Sequence, residues 1–524
     1  MGGMQYYSVV ASVLLLASAS HAADVLPRPD PMGAPPSKLY DYGVMGPPAS
    51  PEIVESALKG IDKPLPPGPF APNWASIADH YTQPQWFSDA KFGVFIHWGV
   101  YSAAAHGNEW YEKHMYAGEG ARWHEAHFGP QDKIGYKDLI PLFTAKDWNP
   151  EAWAKLFKAA GAKYVIPTAE HHDNFALWDS KVTSFNAVKM GPHRDLIGDL
   201  EKAVHAEGLK FGVSNHGVEN FTFVNPDPDI DAKLKAEKAD LYDPEWADFY
   251  HVSDRSNAAM AAFLSDWVNR NLELVDDYHP DILWWDNGVN LRVLDPLKRY
   301  VAAYYYDRAA RTGQQVTLST KYIAMAPSND DTQQIGSVID FEKVGKRSPP
   351  DIRLGGWQVD DTIGDASWGY VEGLKARPAS VIVPLLIDTV SKGGNYTLNI
   401  SPRADGVIPD DQRKTLLDIG KWLGRNGEAI YATRPWTQFG EGEWRFTQKD
   451  GAVYAIALKW PGAAATIAAL GDAAGKVASV ELIGGGKIAF RQTADGLHLD
   501  LPPRPDEIAY AFRIRMAPYE SRRQ

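Results

Sequence analysis

The sequence predicts an α/β protein in which a (β/α)8-like barrel is followed by a small antiparallel β-sandwich. Between residues 81 and 432, short apolar runs alternate with helical segments, which is typical of parallel βα units. From residue 433 to residue 524, short strands separated by Gly and Asp turns replace that alternation, which is typical of a sandwich. The length of 524 residues is sufficient for both domains.

Seven apolar runs in the first region have the length and composition of buried strands. They are 91–97, 163–168, 209–214, 281–285, 316–320, 337–341 and 396–400. Helical segments are predicted at 150–160, 194–207, 257–277, 296–312, 379–390 and 410–423. This number of βα units favours a closed barrel over an open sheet. The later units are irregular, and an incomplete barrel is therefore the alternative.

Six further strands are predicted in the C-terminal region. They are 443–447, 452–458, 477–482, 487–490, 497–501 and 508–514. Their aromatic residues suit a domain core or a glycan-binding face, and core packing is the favoured interpretation.

The N-terminal part of the chain has a different character. Residues 1–22 resemble an export signal, because the apolar run 9–17 is too short to span a bilayer and Ser20 and Ala22 are small residues at the cleavage positions. We therefore expect an exported protein, either periplasmic or secreted. Residues 23–80 form a proline-rich extension, expected to be irregular apart from a short helix at 51–59.

The overall composition excludes several classes of protein. Hydrophobic residues make up 44% and charged residues 23% of the chain, which excludes a disordered protein. The formal net charge of −13 argues against nucleic acid or an anionic membrane as the main partner. The absence of cysteine excludes disulfides, thiolate catalysis and cysteine-ligated metals.

Polar side chains with reactive chemistry follow five of the predicted strands. They are His97, the pair His171 and His172, His216, Asp286 and Glu342. Each one alone is compatible with a hydrogen-bonded polar residue that has no further role. Because the carboxyl ends of barrel strands meet at one face, these side chains would converge on one cleft.

Asp286 is the most informative of these residues. It directly follows Trp284 and Trp285 and precedes Asn287 and Gly288, so a carboxylate leaves an apolar strand at a tight turn. A carboxylate fixed in this way can attack the anomeric carbon of a sugar. The alternative is that these residues only form the turn.

A metal centre is an alternative use of the same strand ends. Glu170, His171, His172 and Asp173 carry ligand atoms, and His97 offers a third imidazole. Neighbouring residues on a strand point to opposite sides, however, so adjacent histidines seldom bind one ion unless the strand end twists. We therefore expect neither a metal nor a cofactor.

Several longer motifs resemble the α-L-fucosidases of glycoside hydrolase family 29. They are WFSDAKFGVFIHWG (86–99), EWY (109–111), KYVIPTAEHHDNFALW (163–178), SWGY (367–370), VSKGGNYTLNISP (390–402) and NGEAIY (426–431). The resemblance extends in order from about residue 81 to residue 435. It implies a barrel with a C-terminal β-sandwich, no cofactor, and hydrolysis through a glycosyl-enzyme intermediate.

The resemblance also assigns residues to roles. Asp286 corresponds to the nucleophile, and His97, His171 and His172 correspond to residues that bind fucose hydroxyls. Glu109 and Trp110 match the Glu-Trp of the pocket. Trp284 or Trp285, together with Trp357, would form apolar walls for the sugar. His216 replaces a tyrosine of many members, which makes it a candidate substrate contact.

The chain departs from the family pattern at the general acid/base. Many members carry it in a Trp-Glu pair, which is Trp357-Gln358 here, and an amide cannot transfer the proton. Glu342, at the end of a predicted strand, is the preferred replacement, although it could instead pair with a neighbouring lysine. The other candidates, in order, are Glu109, Asp360 and Asp361.

The expected function is therefore that of a retaining exo-glycosidase that removes terminal α-L-fucose from an oligosaccharide or glycoconjugate. Two alternatives stay open. The missing Trp-Glu acid is compatible with a fucose-binding protein that does not hydrolyse its ligand. A retaining hydrolase of a related sugar, such as an α-L-galactoside, would use the same residues. The sequence does not predict the fucosyl linkage or the oligomeric state.

Overall fold

The structure is a computed structural model that describes residues 49–321, 324–327, 334–343 and 348–517. The predicted export signal at 1–22 and the first half of the proline-rich extension lie outside the described residues. Within the described ranges, no helix combines the length and apolarity needed to cross a bilayer.

The first domain is a closed barrel of eight parallel strands. The strands are β1 (Phe92–Ile96), β2 (Tyr164–Glu170), β3 (Lys210–Asn215), β4 (Ile282–Trp285), β5 (Thr317–Lys321), β6 (Ser337–Glu342), β7 (Trp357–Thr362) and β8 (Asn395–Ile400). Each strand pairs with the next along the chain, and β8 pairs with β1 to close the barrel. This confirms the predicted barrel and corrects the alternative of an incomplete one.

Strand β7 is the strand that the sequence analysis missed. Its sequence reads WQVDDT, so it contains no apolar run. Gln358 and Asp360 pair in register with Asp340 and Glu342 of β6, and their polar side chains face into the barrel. A buried strand with polar residues on its inward face cannot be recognised by hydrophobicity alone.

The helices of the first domain surround the barrel and fill its loops. They are α1 (Pro51–Lys59), α2 (Trp74–His80), α3 (Gln85–Ala90), α4 (Tyr101–Ala104), α5 (Tyr111–His114), α6 (Gly118–His127), α7 (Pro150–Ala159), α8 (Leu196–Ala206), α9 (Asn220–Phe223), α10 (Pro228–Glu237), α11 (Ala247–Tyr250), α12 (Asn257–Tyr278), α13 (Asp295–Thr312), α14 (Ala379–Ser391) and α15 (Asp410–Asn426). Local sequence sets several of their starts. The Ser256 side chain, for example, accepts a hydrogen bond from Ala259 N at 3.2 Å and begins α12.

The described part of the proline-rich extension lies across the outside of the barrel. The predicted helix at 51–59 is confirmed as α1, and Ser265 of α12 donates a hydrogen bond to the carbonyl of Ala57 at 2.8 Å. Farther along, Lys63 forms an ion pair with Asp276 at 2.7 Å. The extension is thus held against α12 by a hydrogen bond and an ion pair.

The second domain consists of two antiparallel sheets. Its strands are β9 (Arg434–Glu441), β10 (Trp444–Lys449), β11 (Ala452–Ala457), β12 (Ala464–Ile467), β13 (Val477–Leu482), β14 (Gly486–Lys487), β15 (Ala489–Thr493), β16 (Gly496–Asp500) and β17 (Tyr510–Met516). The six-stranded sheet has the order β14-β13-β17-β11-β10-β9, and the three-stranded sheet has the order β12-β16-β15. One apolar core includes Trp444 and Phe512 of the larger sheet and Leu497 of the smaller. Trp444 therefore packs in the core, as the sequence analysis favoured.

Candidate active site

A pocket of about 240 Å³ lies at the carboxyl ends of the barrel strands. It is lined by His97, Asn108, Glu109, Trp110, His171, Asp286, Asn287, Lys321, Glu342 and Trp368. Six of these ten residues were predicted: His97, Glu109, Trp110, His171, Asp286 and Glu342. They converge because each belongs to a strand end or to the loop that follows one.

His171 and His172 approach the site together, although neighbouring residues on a strand face opposite sides. Strand β2 ends at Glu170, so both histidines lie beyond the strand and its alternation no longer applies. Their ring centroids are 4.5 Å apart. His171 lines the pocket, whereas His172 lies behind it and contacts Asp286.

Asp286 follows β4 directly, and its side chain is almost completely buried. Its Oδ1 atom lies 3.0 Å from Lys321 Nζ, and its Oδ2 atom lies 2.8 Å from His216 Nδ1 and 3.5 Å from His172 Nε2. Burial alone would raise the pKa of Asp286, but the Lys321 ammonium and the two histidines hold it well below its usual value. The carboxylate is therefore ionised, as a nucleophile must be.

His216 orients the Asp286 carboxylate. Burial lowers the pKa of His216 to about 4, so the ring is neutral at neutral pH. Its Nδ1–H group donates to Asp286, which leaves Nε2 to accept a hydrogen bond from Ser214 Oγ at 3.0 Å. Both ring nitrogens have partners within the protein. His216 does not line the pocket, and its predicted contact with the substrate stays a prediction.

Glu219 is a buried member of the same cluster that the sequence analysis did not predict. Its Oε2 atom lies 3.7 Å from His172 Nδ1, on the side of the ring away from Asp286. Burial alone would lower the pKa of His172, but the carboxylates of Glu219 and Asp286 raise it. Burial raises the pKa of Glu219 to about 7. His172 is thus held between two carboxyl groups, and this supports its charged form.

Lys321, the last residue of β5, lies between Asp286 and Glu342, two of the carboxyl residues that line the pocket. Its ammonium lies 3.0 Å from Asp286 Oδ1, 3.6 Å from Glu342 Oε2 and 4.0 Å from Asp360 Oδ2. Burial alone would lower the pKa of Lys321, but these carboxylates raise it well above its usual value. The lysine is therefore permanently charged beside the proposed nucleophile.

Replacement of Lys321 by methionine is expected to move the acidic limb of kcat/KM to higher pH by about one unit or more. The active form of Asp286 is ionised, and without the ammonium its pKa rises, so protonation abolishes activity at a higher pH. Rates measured across the acidic range would reveal the shift. Lys321→Arg, which keeps the charge, should leave the limb near its original position. An unmoved limb in Lys321→Met would contradict this role.

Glu109 fixes the wall of the pocket that Trp368 forms. Its Oε2 atom accepts hydrogen bonds from Ser367 Oγ at 3.1 Å and from the backbone amides of Trp368 and Gly369 at 3.0 and 3.4 Å. The ring of Trp368 lies 5.2 Å from that of His97. Trp368 belongs to the SWGY motif, and its place in a loop after β7 is what could have marked it as a pocket residue.

Two groups of side chains in the site have their ligand atoms close enough to hold a metal ion. His97, His171 and His216 form one group, and His172, His216 and Asp286 form the other, with the atoms of each group within 4.8 Å of one another. The Lys321 ammonium already lies 3.0 Å from Asp286, and it would repel a cation placed beside that carboxylate.

Comparisons with known proteins identify the family. The family model for α-L-fucosidase matches residues 61–428, and that for the α-L-fucosidase C-terminal domain matches residues 440–515. The chain belongs to the α-L-fucosidases of glycoside hydrolase family 29.

Individual members of the α-L-fucosidase family align over most of their length. The tissue α-L-fucosidases of Rattus norvegicus and Homo sapiens are each 34% identical to this chain, over 410 and 427 residues. These alignments cover 76% and 77% of this chain and 80% and 82% of the relatives. The crystal structure of Thermotoga maritima α-fucosidase in complex with fucose is 32% identical, with a TM-score of 0.67, and the match covers 85% of this chain and 99% of that one.

The position at which many α-L-fucosidases carry a Trp-Glu pair, Trp357-Gln358 in this chain, lies outside the pocket. Gln358 is buried inside the barrel, where its Nε2 donates to Asp340 at 2.5 Å and its Oε1 accepts from Tyr164 OH at 3.2 Å. A side chain at this position cannot reach a sugar in the pocket. The departure at 358 therefore gives no support to a fucose-binding protein without hydrolysis.

The four candidates for the general acid differ in whether they line the pocket. Asp360 is buried, and burial together with Asp340 raises its pKa well above its usual value. Asp361 faces the other way, where it pairs with Arg377 at 3.0 Å. Neither lines the pocket, whereas Glu342 and Glu109 do.

The tryptophans that were expected to form apolar walls lie elsewhere. Trp284 is buried beneath the site, where it donates to Asp340 at 2.7 Å and its ring lies 5.0 Å from that of His216. Trp285 faces outward and donates to Asn271 of α12 at 2.8 Å. Trp357 begins β7 and therefore lies at the opposite end of the barrel. The expectation for these walls is corrected, since Trp110 and Trp368 line the pocket instead.

Proposed function

We propose that the protein removes terminal α-L-fucose from fucosylated oligosaccharides or glycoconjugates, with retention of configuration at the anomeric carbon. The main support is the position of two carboxyl groups beside one ammonium. Lys321 Nζ lies 3.0 Å from Asp286 Oδ1 and 3.6 Å from Glu342 Oε2. Because both oxygen atoms are measured from the same nitrogen, they can be at most 6.6 Å apart. Retaining glycosidases hold their carboxyl groups about 5–5.5 Å apart, and inverting enzymes hold them about 6.5–9.5 Å apart.

The size of the pocket supports cleavage at a chain end. A volume of about 240 Å³ suits a single sugar ring and not a continuous glycan. Trp110 and Trp368 offer flat apolar faces, and His97 and His171 offer nitrogens for hydroxyl groups. A structural relative, the Thermotoga maritima α-fucosidase, is described with fucose bound.

In the first step Asp286 attacks the anomeric carbon as the bond to the leaving oxygen breaks. Glu342 donates its proton to that oxygen, so the aglycone leaves as a neutral alcohol. The sugar is then bound to Asp286 as an ester. The ammonium of Lys321 stabilises the ionised nucleophile before attack, and Glu342, ionised by loss of its proton, becomes the new partner of that ammonium.

In the second step Glu342 acts as a base. It accepts a proton from a water molecule, whose oxygen attacks the anomeric carbon and releases Asp286. Two inversions at the same carbon give net retention. Both catalytic groups then return to their initial protonation states, and fucose leaves the pocket.

The stereochemistry of the first product tests this proposal. Proton NMR during hydrolysis of 4-nitrophenyl α-L-fucoside should show α-L-fucose appearing before the slower formation of its β-anomer. Initial appearance of the β-anomer would establish inversion and contradict a nucleophilic Asp286. The matched α-L-galactoside, which carries an additional hydroxyl at C6, should be hydrolysed with a lower kcat/KM. Equal rates would favour the broader substrate class.

A further inference from the structure

A second cavity lies at the opposite end of the barrel from the active site. Its volume is about 290 Å³, and it is formed where the amino ends of β1, β7 and β8 meet the start of the C-terminal domain. The lining residues are Gln83, Phe87, Ser88, Lys91, Arg353, Leu354, Gly355, Gly356, Trp357, Gly393, Asn395, Arg434 and Pro435. Three of them are cationic, and none is acidic.

Lys91 is the unusual residue of this cavity. Its side chain is 1% exposed, and among the described residues no hydrogen bond or ion pair of its ammonium is found. Its backbone has a φ of 59°, a conformation that a lysine adopts only at a cost. Burial and the nearby charge of Arg434 lower the pKa of Lys91 to about 7, against the opposite effect of the Asp89 carboxylate. An anion beside the Lys91 amine would therefore stabilise its charged form.

The two arginines increase the positive charge around the same space. Arg353 is 4% exposed and comes from the segment before β7. Arg434 begins β9 and pairs with Asp89 at 2.8 Å, so the Asp89 carboxylate is already engaged by this guanidinium. An unpaired buried charge destabilises a protein unless a counterion or water occupies the space beside it.

We propose that this cavity is an anion-binding site, with Lys91, Arg353 and Arg434 as its cationic ligands. The ligand class is a compound that carries a sulfate, phosphate or carboxylate group. The Lys91 ammonium and the two guanidinium groups provide donors of the type that bind such oxygens. The volume is larger than one inorganic anion requires, and Trp357 and Pro435 supply an apolar wall, so an anionic sugar also fits.

Thermal unfolding in sulfate tests the site directly. Sulfate at about 10 mM, too dilute for general stabilisation by salt exclusion, should raise Tm of the full chain by about 1 °C or more relative to chloride at equal ionic strength. Lys91→Met should lose this increase, because it removes the charge and keeps most of the side-chain volume. Lys189→Met, at an exposed lysine, is the matched control and should keep it.

Further measurements separate the possible outcomes. Lys91→Met should retain hydrolysis of an aryl α-L-fucoside, which shows that it folds, since the cavity lies away from the catalytic pocket. Calorimetric titration with sulfate, glucuronate and neutral glucose identifies the ligand: tighter binding of glucuronate than of sulfate indicates an anion carried by a sugar. The proposal is overturned if sulfate raises Tm of wild type and Lys91→Met equally. It is also overturned if neither sulfate nor glucuronate binds saturably, in which case the cavity holds only water.

Discussion

Replacement of Asp286 by glycine is expected to lower kcat for hydrolysis of an aryl α-L-fucoside by on the order of 10⁴-fold or more. The carboxylate is buried and ionised, and Lys321, His216 and His172 converge on it. No other carboxylate of the pocket has this set of partners in the described structure. Removal of the side chain therefore removes the atom that would form the covalent bond, together with the charge that its neighbours are arranged to hold.

Release of 4-nitrophenol measures this effect without dependence on the acid, because the aryl group leaves readily. Asp286→Asn is a second variant that keeps the shape of the side chain, and it should be similarly inactive. Added azide should restore turnover of Asp286→Gly and give a fucosyl azide of β configuration, since the small anion replaces the missing nucleophile on the same face. Activity of either variant near the wild-type rate would show that the nucleophile lies elsewhere.

The parts of the site that the sequence predicted share one property. His97, His171 and Asp286 directly follow short apolar strands or lie within two residues of their ends, and the closure of a parallel barrel brings such positions together. The order of the strands and the residue types at their ends are sufficient to predict this convergence. Such residues are therefore predictable wherever a strand is apolar enough to be recognised.

Lys321 and Glu219 were not predicted, because their role depends on contacts that strand order and residue type do not reveal. Lys321 occupies a strand end, but a lysine at the end of a strand is usually solvated, and only the proximity of Asp286, Glu342 and Asp360 explains its burial. Glu219 lies beyond the end of β3, and its contact with His172 depends on the path of a loop. Contacts made by loops and by the inward faces of polar strands depend on tertiary structure, which periodicity does not encode.

Trp357 is a residue that was predicted to line the sugar pocket and does not. A tryptophan beside a family motif was expected to form a wall for the sugar, yet it begins β7 and lines the cavity at the far end of the barrel. Its proximity in sequence to Gln358 and Asp360 suggested a place near the site, although β7 itself was not predicted. It could not give the distance along that strand, and a strand of six residues is long enough to separate the two ends of a barrel.

Replacement of Glu342 by glutamine is expected to affect substrates according to their leaving groups. For a fucosylated oligosaccharide, whose leaving alcohol needs a proton, kcat/KM should fall by about 10²–10⁴-fold. For 4-nitrophenyl α-L-fucoside the first step needs little help from an acid, so kcat/KM should fall much less. The second step still lacks its base, and kcat should therefore fall for both substrates.

Glu109→Gln is the control that distinguishes Glu342 from Glu109, the other candidate for the general acid in the pocket. Glu109 accepts hydrogen bonds from Ser367, Trp368 and Gly369, so its loss should loosen the Trp368 wall and raise KM for both substrates to a similar extent. Azide should accelerate Glu342→Gln, because it attacks the fucosyl-enzyme without a base, and it should not accelerate Glu109→Gln. The reverse pattern, with leaving-group dependence in Glu109→Gln, would transfer the acid/base role to Glu109.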